Sequence, residues 1–101
     1  MILTKLVLSC PGAMADTVVE FLLESEWDAH GFTTVQAAGH GADFINATLR
    51  EKVRGSVDTV LMMLILPAAH VAPLLAELRK RFRTPQMHYW TEPVHDAGDF
   101  A

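Results

Sequence analysis

Five histidines stand in a chain of 101 residues: His30, His40, His70, His88 and His95. Imidazole is a common ligand for transition metals, and a site needs two to four such side chains converging on one ion. No two of these histidines have the i,i+4 spacing of a helical pair, and the single cysteine, Cys10, has no CxxC partner. A metal site would therefore have to be assembled by folding or by a second chain. His40 stands between Gly39 and Gly41, where backbone can approach a ligand closely, and His88 opens the expected fourth strand. His70 and His95 read as solvated residues at a helix start and in the tail. A second group is Arg79-Lys80-Arg81-Phe82-Arg83, which holds four of the eight basic residues. Guanidinium forks there suit phosphate or carboxylate. Trp27, Tyr89 and Trp90 are the aromatics to watch, and adjacent Tyr89 and Trp90 on a strand must point to opposite faces. Cys10 reads as a small buried hydrophobe, without a base spaced to make it a nucleophile. Asp16, Glu20 and Glu24, with Glu26 and Asp28, read as a solvated helix face and not as a carboxylate pair.

The rest of the chain must position these groups, and its composition limits how. One hundred and one residues make one domain, and 50% apolar residues exclude a disordered tail. A formal net charge of −4 argues against nucleic acid as a partner. One cysteine excludes an intramolecular disulfide, which fits a cytoplasmic setting. The apolar run from Val60 to Ala69 falls short of the roughly 20 residues that a membrane helix needs, so no membrane insertion is expected. Val7-Leu8-Ser9-Cys10 is faintly like a lipoprotein box, but Thr4 and Lys5 interrupt the residues before it.

Along the chain, Ile2 to Ser9 reads as a strand punctuated by Pro11-Gly12. A helix follows from Ala13 to near Trp27, with Met14, Val18, Phe21 and Leu22 on its apolar face. Phe32 to Ala37 is a second strand, and Ala42 to Gly55 is the least regular segment, expected to be mobile. Ser56 to Leu66 is a long third strand. A second helix starts near Ala69, with Val71, Leu74, Leu75, Leu78 and Phe82 on one face; Pro73 fits only within its first turn. Met87 to Glu92 is a fourth strand ahead of Pro93, and residues 95–101 are a tail expected to be mobile, leaving 1–94 as the domain. The order βαββαβ gives the α+β ferredoxin-like fold, a two-layer sandwich of an antiparallel four-stranded sheet with both helices on one face. The central strands are apolar on both faces, so the uncovered face is expected to be buried by other subunits.

This order, with Gly31-Phe32-Thr33-Thr34-Val35 leading to Gly39-His40-Gly41, resembles the PII-like superfamily of trimeric ferredoxin-like proteins. Glu51-Lys52-Val53-Arg54-Gly55 and Tyr89-Trp90-Thr91-Glu92-Pro93-Val94 are similar to motifs of a small PII-like family often encoded beside heavy-metal cation efflux systems. The resemblance implies a homotrimer. It also implies a non-enzymatic regulator that binds a small ligand between subunits and signals through the T-loop-like segment 42–55. A membrane transporter or efflux component is then the expected protein partner, and heavy-metal homeostasis the expected setting. In such a trimer the loop after the second strand faces the neighbour's turn before its fourth strand, which brings His40 and His88 to one cleft. The expected ligand set is Gly39, His40, Gly41, His88, Arg79, Arg81, Arg83 and Trp90. The metal ligands are His40 and His88, for zinc, copper or nickel. A nucleotide is the less favoured ligand, because Arg83-Thr84-Pro85-Gln86-Met87 stands where PII proteins have a glycine-rich phosphate loop. Two alternatives stand beside this reading: a metal buffer without a signalling partner, and a small ferredoxin-like enzyme such as a cofactor-free monooxygenase.

Overall fold

The computed structural model describes residues 1–27, 31–41 and 55–101. Expectations resting on residues 28–30 and 42–54, His30 and most of the T-loop-like segment among them, lie outside the described residues. Chain order is β1 (Leu3–Pro11), a 3-10 turn (Gly12–Met14), α1 (Ala15–Glu24), β2 (Thr33–Gly39), β3 (Val57–Pro67), α2 (Ala68–Arg81) and β4 (His88–Val94). The four strands form one antiparallel sheet in the order β2-β3-β1-β4. This is the ferredoxin-like βαββαβ arrangement read from the sequence.

Register divides the sheet cleanly. Leu6 opposes Leu64, Leu8 opposes Met62 and Cys10 opposes Val60, so the even-numbered residues of β1 and β3 share one face. That face packs against Val18 and Leu22 of α1 and Leu74, Leu75 and Leu78 of α2 to make the core. No described helix covers the odd-numbered face. Across it run Val35 of β2, Ile65 of β3 and Trp90 of β4, all exposed. Val7 is only 2% exposed there, set by register between Met63 and Trp90. A Lys5–Glu92 ion pair at 3.8 Å lies across β1 and β4 on the same face.

Of the boundaries that differ from the periodicity, three bear on packing. α1 stops at Glu24, where Ser25 turns extended, so Trp27 lies beyond the helix. α2 begins at Ala68, which puts Pro73 in the second turn and not the first. There it removes the bond to the Ala69 carbonyl, at a usual cost of about 3 kcal/mol, and the burial of Leu74, Leu75 and Leu78 offsets that loss. β4 runs through Pro93 to Val94, because β4 is an edge strand and a proline can turn its missing N–H outward.

Candidate functional site

The C-terminal end of α2, the Thr84–Met87 turn and the start of β4 enclose an open cleft of about 500 Å³. Leu8, Leu75, Leu78, Phe82 and Met87 supply its apolar lining, and Arg79, Arg83, His88 and Tyr89 its polar one. Leu75 and Arg79 are four residues apart on one side of α2, and Arg83 joins them from just beyond the helix end, where Phe82 leaves helical geometry. Arg79 Nη2 donates to the Tyr89 hydroxyl at 3.4 Å, and its guanidinium lies 5.6 Å from that ring's centre. This contact holds one cation over an aromatic wall while both remain exposed. Arg81, half a helical turn away, leaves the group: its guanidinium lies 4.9 Å from the Phe82 ring, and it does not line the cleft. The expected trio of arginines is thus a pair in this chain. The Gln86 N–H donates to Thr84 Oγ1 at 3.2 Å, so a hydroxyl closes the turn. Chemically, two guanidinium groups over an apolar floor suit an anion carrying an apolar or aromatic body.

The Gly39-His40-Gly41 turn has two separate reasons for its glycines. A Cβ on Gly39 would lie 2.7 Å from Thr59 Oγ1, the hydroxyl that donates to the Val57 carbonyl. Gly41 has φ +148°, a conformation other residues rarely adopt. His40, between them, is exposed. The ends of β2 and β4 that carry His40 and His88 lie at the same end of the sheet but on opposite edges. Three strand spacings separate those edges, about 14 Å, so one chain does not bring the two imidazoles to a single ion. Among the described residues, no group of three or more His, Cys, Asp or Glu is placed to hold a metal.

Tyr89 and Trp90 do point to opposite faces, as the strand pattern requires. Tyr89 opposes Leu8 on the helix side and joins the cleft, whereas Trp90 opposes Val7 on the uncovered face. The Trp90 indole N–H donates to Glu92 Oε2 at 2.8 Å. Sequence reasoning named Trp90 for the site and missed Tyr89, Phe82 and Met87. The i,i+4 spacing of Leu75 and Arg79 was the available signal, and it does not reach past the helix end at Arg81. His70 is also not the solvated residue expected. It is half-buried against Trp27, with ring centres 5.3 Å apart, and Trp27 Nε1 donates to Glu77 Oε1 at 3.2 Å. Cys10 is buried, and burial pushes its thiol pKa up, which keeps it protonated and unreactive.

Solved structures with this architecture share little sequence with the chain. A DUF3240 family protein from Shewanella baltica OS155 superposes with a TM-score of 0.78 at 23% identity, covering 98% of this chain and 97% of that one. CPII from Thiomonas intermedia K12, a nitrogen regulatory PII-like protein bound to ADP, AMP and bicarbonate, gives 0.69 at 19% identity, with 99% and 98% covered. A PII-like protein from Thermus thermophilus gives 0.64 at 18% identity, with 93% and 88% covered. No curated protein matches the chain in sequence. No described helix is long and apolar enough to cross a membrane. A family model described as "protein of unknown function (DUF3240)" matches residues 2–101, and the chain therefore belongs to that family, built on the PII-like ferredoxin fold.

Proposed function

We propose that this protein is a non-enzymatic, PII-like ligand sensor that works as a cytoplasmic homotrimer. The observation that carries the reading is the cleft at the end of α2, where Arg79 and Arg83 stand over an apolar floor. A small anion is the ligand this chemistry favours. CPII, of the same fold, is bound to ADP, AMP and bicarbonate, all of them anions. Assembly is supported by the uncovered sheet face, where Val35, Ile65 and Trp90 are exposed together. A ligand at the cleft would bias the segment 42–55, and that segment would then present a surface to a transporter or efflux component.

A metal site shared between subunits is the second reading, with a role in heavy-metal homeostasis. His40 and His88 sit on opposite edges of the sheet in one chain, so pairing them takes two chains. Titration calorimetry with ADP, AMP, bicarbonate, zinc, copper and nickel separates the two. On the first reading an anion binds, and the Arg79→Ala/Arg83→Ala variant weakens it by about tenfold or more, as loss of charged hydrogen bonds does. Metal binding abolished by His40→Ala, with no anion bound, replaces the first reading by the second. Absence of binding by every one of these ligands rejects both.

A further inference from the structure

The seven residues after β4, His95 to Ala101, are all exposed, and Phe100 is the most exposed of the large hydrophobic side chains described. An aromatic ring left wholly in water forgoes about 2 kcal/mol of burial. The same segment carries Asp96 and Asp99 and no lysine or arginine. It is an acidic tail with an aromatic anchor.

The cleft between α2 and β4 is its complement in both respects. Arg79 and Arg83 line it, and Leu75, Leu78, Phe82 and Met87 supply an apolar surface that suits a ring. Reach decides which copy supplies the tail. β4 carries the chain away from the cleft, from His88 to Val94, a span of about 20 Å. The six residues from Val94 to Phe100 extend at most about 20 Å. Returning to its own cleft would consume the whole length and leave nothing for the reversal. A neighbouring copy has no such constraint.

We propose that residues 95–101 of one copy dock in the Arg79/Arg83 cleft of another, with Phe100 on the apolar floor and Asp96 and Asp99 toward the guanidinium groups. The tail is then a built-in competitor for the cleft. This docking uses the cleft but does not depend on the small anion proposed above. The test replaces Phe100 with photoreactive benzoylphenylalanine in the full chain, in an equal mixture of light and isotopically heavy protein. Light–heavy cross-links from position 100 to the 75–89 segment are expected, and the Arg79→Ala/Arg83→Ala variant should lose most of them. Cross-links within one chain only, cross-links centred on the uncovered sheet face, or none above the level of irradiated monomer would overturn the proposal. In Phe100→Ser, bicarbonate or ADP should bind several-fold more tightly. If neither binds to either protein while the light–heavy cross-links persist, the anion reading fails and the docking stands.

Discussion

Both faces of this sheet carry apolar residues along β1 and β3, yet they meet different surroundings. On one, Leu6, Leu8, Met62 and Leu64 are sealed beneath α1 and α2. On the other, Ile65 and Trp90 face outward, and only Val7 is shielded. Two helices span one face, and nothing in the described part of the chain is left to cover the second. The contrast teaches that an apolar residue's role here is set by its parity in the strand. Leu64 and Ile65 are neighbours in sequence, but one holds the domain together and the other is available to hold domains to each other.

Substituting those two neighbours breaks the comparison most directly. Leu64→Ala leaves a cavity in the sealed face and should cost about 3–4 kcal/mol in urea unfolding, at every protein concentration. Ile65→Glu should cost the folded chain far less, but if the chain assembles as the proposed trimer, light scattering should fall from about three chain masses to one. Equal loss of stability in both variants would mean that the faces do not differ as described.

A smaller effect sharpens the account of the covered face. If packing holds α2 together across Pro73, then Pro73→Ala restores a bond to the Ala69 carbonyl and should raise stability by about 1–3 kcal/mol. Unchanged or lower stability would show that the proline's ring is itself needed at that joint.

The smallest concerns Cys10, sealed on the same face. Its thiol pKa is raised by burial above the ordinary 9.0, so the folded state favours the protonated form. The associated stability is complete below the unfolded pKa and is lost as pH rises through the folded one. Wild type should therefore lose stability above about pH 9 relative to Cys10→Ala. Identical alkaline melting curves for the two proteins would place the thiol in contact with water.

Much of the fold was legible because its signals are local. Strand and helix periods, the Gly39-His40-Gly41 turn and the order βαββαβ follow from steric preference and from which side of each element is apolar. The alternation of Tyr89 and Trp90 was equally determined, since adjacent strand residues must point apart. The candidate site was legible only in pieces. The sequence determined that Arg79, Arg81 and Arg83 are close together, but their division into a cleft pair and a residue against Phe82 awaited the packing of α2 on the sheet. The PII-like resemblance, not the spacing, offered His40 and His88 as partners between subunits, and only the strand order placed them on opposite edges of one chain's sheet. Pro73 in the second turn and Pro93 within β4 were likewise decided by tertiary structure. The physical reason is common to all of these. A residue's type and spacing fix its local geometry, whereas what it faces depends on register and layer, which no single segment of the chain contains.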